Sequence, residues 1–189
     1  MLDDILLQVN KPGRYIGREW NLPRKDFDKA DIKFALCFPD LYEIGMSNLG
    51  IRIIYAILNN LPDVACERFF SPASDMEKIL RDRNTGIYSL ESRKGLREFD
   101  FAGFSLGHEL SYTNVLNILQ MGSIPLKASL RDQSYPLVIG GGPCALNPEP
   151  LCEFFDLFLI GEAEEAILEI IDIYRKAKDR FKASVMKKQ

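Results

Sequence analysis

Apolar residues along this chain follow two spacings. Short unbroken runs occur at Ile32–Phe38, Val64–Phe70, Phe101–Leu106, Leu137–Gly142 and Asp156–Gly161, and each predicts a strand. Between them the spacing turns helical. Leu49, Ile53, Ile54, Ile57, Leu58 and Leu61 share a face until Pro62 stops the pattern. Met76, Ile79 and Leu80 mark a helix over Asp75–Arg83, and Tyr112–Met121 marks another. Ala166, Ile167, Ile170, Ile171 and Tyr174 mark the inward face of a helix over Glu162–Arg175. Weaker patterns predict helices at Asp3–Val9 and Pro148–Phe154 and a short edge strand at Ile87–Leu90, with Pro39–Asn48 as a loop. The stretch from Lys11 to Asn21 has turn formers, basic groups and no clean period, and reads as an extended arm.

Strands and helices therefore alternate, and the strands are continuous apolar runs, as expected where both faces are buried. That pattern predicts an α/β fold: a doubly wound parallel sheet of about five strands wrapped by helices. Residues 1–30 form the predicted N-terminal helix and arm, 31–178 the sheet domain, and 179–189 a basic tail.

Composition narrows the function classes. The chain has 189 residues, 47% hydrophobic and 27% charged, which suits a globular domain and excludes wholesale disorder. No apolar run approaches the roughly 18 residues needed to span a bilayer. Net charge is −3, so no overall field favours nucleic acid. The four cysteines, Cys37, Cys66, Cys144 and Cys152, lack C-x-x-C spacing, and the one histidine is His108, so neither zinc nor iron–sulfur ligation is expected. The acidic start, Met1-Leu-Asp-Asp-Ile, has no signal-peptide pattern, and a cytoplasmic location is expected.

In a parallel sheet ligands bind beyond the strands' carboxyl ends. The residues there are Tyr42, Gly45, Met46 and Ser47 after the first strand, and Ser105 and Leu106 at the end of the third. Gly140, Gly141, Gly142, Pro143 and Cys144 close the fourth, and Glu162 follows the fifth. Three successive glycines at a strand end admit positive φ and close approach of a ligand, although no Lys-Ser/Thr follows as in a phosphate loop. Ser47 or Asn48 is placed to cap the next helix. Gly103-Phe-Ser-Leu-Gly107 has the spelling of a hydrolase elbow, but no later histidine completes a triad.

Three stretches carry a resemblance: Phe38-Pro-Asp-Leu-Tyr-Glu-Ile-Gly-Met-Ser-Asn-Leu-Gly, Phe104-Ser-Leu-Gly-His-Glu-Leu-Ser-Tyr-Thr-Asn-Val-Leu and Gly141-Gly-Pro-Cys-Ala-Leu-Asn-Pro-Glu-Pro. Together with Lys11-Pro-Gly-Arg-Tyr-Ile-Gly-Arg-Glu, they resemble the amino-terminal, cobalamin-binding-like domain of large bacterial radical SAM proteins. The resemblance implies a Rossmann-like domain followed by a radical SAM barrel, its partner in cis. Iron–sulfur cluster and S-adenosylmethionine would belong to the full-length protein only, because the C-x-x-x-C-x-x-C cluster motif is absent here. A fragment or truncated reading frame is therefore expected.

For cobalamin the family pattern is altered. Asp40-Leu-Tyr-Glu-Ile-Gly stands where Asp-x-His-x-x-Gly would supply a cobalt ligand, which puts Tyr42 at the histidine position. Gly141-Gly-Pro-Cys144 and Gly161-Glu-Ala-Glu164 replace the loops that would hold the corrin edge. The resemblance implies an accessory domain, non-catalytic by itself, with cobalamin either bound or lost. Two alternatives remain. One is a binding module touching RNA or a protein partner through Arg14, Arg18, Arg24, Lys25 and the lysine tail. The other is a small flavodoxin-like enzyme.

Overall fold

A computed structural model describes residues 2–17, 19–23 and 25–186. In chain order the main elements are α1 (Leu2–Leu6), β1 (Ile32–Phe38), α2 (Tyr42–Ser47), α3 (Leu49–Asn60), β2 (Val64–Phe70) and α4 (Ser74–Asp82). There follow β3 (Phe101–Ser105), α5 (Tyr112–Met121), β4 (Leu137–Gly141), β5 (Leu157–Leu159) and α6 (Ala163–Met186). All five strands are parallel, in the order β2-β1-β3-β4-β5.

Strand side chains alternate between two cores. Ile32, Phe34, Leu36 and Phe38 of β1 face Ile51, Tyr55 and Leu58 of α3 and Ile167 and Ile171 of α6. Ala35 and Cys37 face the opposite core, built with Met76 and Leu80 of α4 and Val115, Ile118 and Leu119 of α5. The runs are mainly apolar because both faces of the sheet are covered.

The edge strand β2 is closed by side chains and a loop. The Asn59 amide donates to the Cys66 carbonyl at 3.0 Å and accepts from its N–H at 3.1 Å, standing in for a neighbouring strand. Two residues on, the Leu90 N–H donates to the Arg68 carbonyl and the Glu91 carboxylate accepts the Arg68 N–H. Such sealing removes the pairing template that an open edge presents.

Several elements depart from expectation. Pro39–Asn48 was expected as a loop, yet Tyr42–Ser47 forms α2, because Gly45 fits beneath Phe38 and Phe70 where a Cβ would clash. Ile87–Leu90 is not an edge strand. Its neighbourhood makes an isolated antiparallel bridge, Tyr88 with Gly95, since the Leu90 and Glu91 polar groups serve Arg68. Pro148–Phe154 yields only a 3-10 turn at Glu149–Leu151, where Pro150 has no N–H to give. The first helix stops at Leu6. The arm is not simply extended: 3-10 turns at Pro12–Tyr15 and Phe27–Lys29 bury Tyr15 and Phe27. The last helix runs past Arg175 to Met186, held by Lys178 against the Asp31 carbonyl and the Asp100 carboxylate.

Candidate ligand and docking face

The chain steps from β1 to β2 on one side, then crosses back to place β3 on the other. The loops leaving β1 and β3 therefore diverge, which opens a crevice at their carboxyl ends. Asp40 follows β1, and its Oδ1 accepts the Leu41 N–H at 2.7 Å. His108 follows β3, with Nε2 3.8 Å from Asp40 Oδ2 and a side chain 51% exposed. Three bonds hold these loops. The Asn114 amide donates to the Pro39 carbonyl, the Ser71 N–H to the Asp40 carbonyl, and the Ser111 hydroxyl to the His108 carbonyl.

Beside this crevice, a groove of about 260 Å³ lies between the sheet and the first turns of α3 and α6. Ser105, Gly141, Gly142 and Glu162 come together along it, joined by Gly50, Ile51 and Gly161. Gly142 has φ +105°, and a Cβ there would stand 2.9 Å from the Leu106 carbonyl oxygen. The turn is closed by Leu106 N–H on the Gly141 carbonyl and by Cys144 N–H on the Leu106 carbonyl. Glycine is thus required at Gly142 for conformation and for space.

The other residues expected at the site lie elsewhere. Leu106 is buried in the core on the opposite sheet face, Gly140 packs in β4 against Leu106 and Phe158, and Pro143 opens a 3-10 turn that includes Cys144. The Ser47 hydroxyl bonds the Ile44 carbonyl, while Asn48 caps α3 through the Ile51 N–H. Tyr42, Gly45 and Met46 turn toward β2. The Tyr42 hydroxyl donates to Glu19 at 2.8 Å and its ring stands edge-on to Phe70. Met46 Sδ contacts the Arg68 guanidinium, which also pairs with Glu19 and Glu91.

That guanidinium is 3% exposed and organises a charged cluster. Burial works to raise the Glu19 carboxyl, but Arg68 and Tyr42 outweigh it and hold it below its ordinary value. Burial and the Glu19 charge push Tyr42 up to about 12, so its hydroxyl keeps its proton. A neutral phenol committed to Glu19 is no cobalt ligand, so Tyr42 does not supply the donor that a histidine at that position would. Cys37 and Cys66 are buried in strands, and burial pushes both thiols up. Among the described residues no group of three or more histidine, cysteine, aspartate or glutamate side chains could hold a metal ion.

The expected basic arm is spent internally where it is described. Arg14 pairs with Glu43, and Lys25 donates to the Leu61 carbonyl. Arg18, Arg24 and residues 187–189 lie outside the described residues.

Two features of this end escaped the sequence reading. Asp40 and His108 are 68 positions apart, and only the strand order makes them neighbours. The other feature is a rim of exposed apolar side chains. Ile44 and Leu49 follow β1, Leu110 follows β3, Leu146 follows β4 and Ile160 follows β5; Leu110 is 87% and Leu146 73% exposed. An apolar residue one to six positions past a strand end was the available signal for Ile44, Leu110, Leu146 and Ile160; Leu49, expected on the inward face of its helix, is instead exposed at the first turn.

Comparison with known proteins places this geometry in context. Residues 50–188 match the family described as radical SAM proteins, N-terminal. An uncharacterized protein of Methanocaldococcus jannaschii is 27% identical over 141 residues, 73% of this chain and 26% of that protein. The chain thus spans about a quarter of the length of that curated relative. No solved structure matches. No helix among the described residues is long and apolar enough to cross a membrane.

Proposed function

Because the chain belongs to the family of radical SAM N-terminal domains, we propose that it is an accessory domain whose carboxyl-end face docks on a radical SAM domain. One observation carries this: exposed apolar side chains follow four of the strands, at the end of the sheet where the glycine-lined groove also lies. Exposed apolar surface at one end of a sheet is what a stable contact would bury. Iron–sulfur cluster and S-adenosylmethionine belong to the docked domain in this reading. The scattered cysteines and the absence of a metal-holding group among the described residues support that division. The expectation for the chain alone is that anaerobic reconstitution with iron and sulfide yields no stoichiometric cluster.

Titrating the chain into a radical SAM domain of the family tests docking. Leu110→Asp and Leu146→Asp should each weaken binding at least about tenfold with thermal melts unchanged. Leu130→Asp, an exposed leucine on the connection entering β4, should bind as the unaltered chain. Equal binding by all three variants would refute this face.

A second reading has the groove itself as support: a cobalamin-type ligand laid against Gly141 and Gly142. At about 260 Å³ the groove accepts one flat or apolar arm of such a ligand, leaving the macrocycle on the face outside. Tyr42 leaves cobalt without a ligand from the β1 loop. Titration with hydroxocobalamin tests this reading. Nitrogen coupling in the Co(II) electron paramagnetic resonance spectrum would show a protein nitrogen where none is expected.

A further inference from the structure

The candidate docking face carries a His–carboxylate pair built from two different loops. Asp40 Oδ1 is committed to the Leu41 N–H, while Oδ2 is turned to His108. His108 is the chain's sole histidine, and its half-exposed imidazole lies two positions before the exposed Leu110. We propose that the His108–Asp40 pair makes docking on this face take up a proton. This rests on the docking reading above.

The reason is desolvation. A partner seated on Leu110 and Leu146 removes water from the pair. With His108 neutral, Asp40 is left as a desolvated charge with no cation beside it, which is unfavourable. With His108 protonated, the imidazolium compensates that charge at short range in a lowered dielectric. The docked state therefore holds the imidazole proton more tightly than the free chain does.

The sign follows from linkage. A group whose affinity for protons rises on docking favours docking at lower pH. Docking should tighten as pH falls through the imidazole range, by at most about tenfold per pH unit for one proton. Other ionisable groups at this end include Glu43 on α2, paired with Arg14 and Lys11, Glu109 beside His108, Tyr112 on α5, Cys144 after β4, and Glu162 and Glu164 at the start of α6. Burial and then Cys144 raise Tyr112, which stays neutral in this range. Histidine is the side-chain type whose ordinary charge change falls near physiological pH.

Isothermal titration of the chain into a radical SAM domain of the family, in two buffers of different ionisation heat and at several pH values, reads the protons taken up. The expected result is close to one proton in the upper part of the range, with tighter docking toward pH 6. His108→Gln and Asp40→Asn should each abolish both effects. Asparagine can still accept the Leu41 N–H, and melts of both variants check that the fold is kept. Docking without proton uptake, or with uptake retained in both variants, overturns the inference and leaves the docking reading standing. No docking at any pH by the unaltered chain removes the docking reading, and the inference with it.

Discussion

The two ends of the sheet are built on opposite plans. At the amino end an aspartate immediately precedes β1, β2, β3 and β5: Asp31, Asp63, Asp100 and Asp156. Asp100 gives its N–H to the Lys33 carbonyl, and its Oδ2 accepts the Lys33 N–H. Asp156 does the same with Val138 across the other half of the sheet. The remaining oxygens hold Tyr174 and Lys178 of α6 on Asp100, Arg175 on Asp63, and Arg131 on Asp156. At the carboxyl end glycines take the places of such side chains, and apolar groups face solvent. One end spends its polar groups on tying helix to sheet. The other leaves backbone and apolar surface open, as a face that meets something else requires.

The largest expected effect lies at the closed end. Asp100→Ala removes acceptors from a backbone N–H, a phenol and an ammonium at once, and should cost about 2–4 kcal/mol in urea unfolding. A loss below about 1 kcal/mol would mean that the amino end is not the tie it resembles.

At the open end Gly142→Ala should cost about 1–3 kcal/mol, because φ is +105° and the new Cβ would press on the Leu106 carbonyl. Gly161→Ala has the same sign of φ, +107°, but open space around it. It should cost less, about 1 kcal/mol from conformation alone. Equal losses would show that crowding at Leu106 is not what selects glycine at 142.

A pH test separates the ends further. Arg175 holds the Asp63 carboxyl below its ordinary value. That stability is present above the unfolded carboxylate range near about 4 and is lost as pH falls through the lower folded value. Arg175→Gln should therefore flatten the acid limb of the stability profile, with the effect modest because the pair is partly exposed. An unchanged limb would assign acid loss to other carboxylates.

The smallest effect should be Gly141→Ala. This glycine has no positive φ, and a Cβ would meet only Leu159, at 4.0 Å. Stability should stay within about 0.5 kcal/mol, like that of Gly95→Ala. Gly141→Val, whose side chain reaches further toward the groove, should weaken ligand binding or docking more than folding, whereas Gly95→Val should leave binding alone.

Much of the fold was legible from residue order. Val64–Phe70 and Phe101–Ser105 read as strands because doubly buried strands need short, mainly apolar runs, a local property of sequence. Leu49–Asn60 and Tyr112–Met121 read as helices for the same local reason. The glycine turn after β4 was legible as well, since three glycines at a strand end have few other uses. Ser105, Gly141, Gly142 and Glu162 do line one groove. Tyr42 and Met46 do not join them, because the buried Arg68 and Glu19 draw them toward β2. Nothing in the loop between Pro39 and Asn48 announces a charge on the next strand.

Local pattern thus determined which segments are strands and helices, and that the strands lie parallel beneath helices on both sides. Tertiary structure decided the strand order, and with it that Asp40 and His108 meet across β1 and β3. It also decided which exposed leucines share a face, and which polar side chains are already satisfied. Burial periodicity is written into neighbouring residues, whereas partnership between distant side chains exists only once the chain has closed on itself.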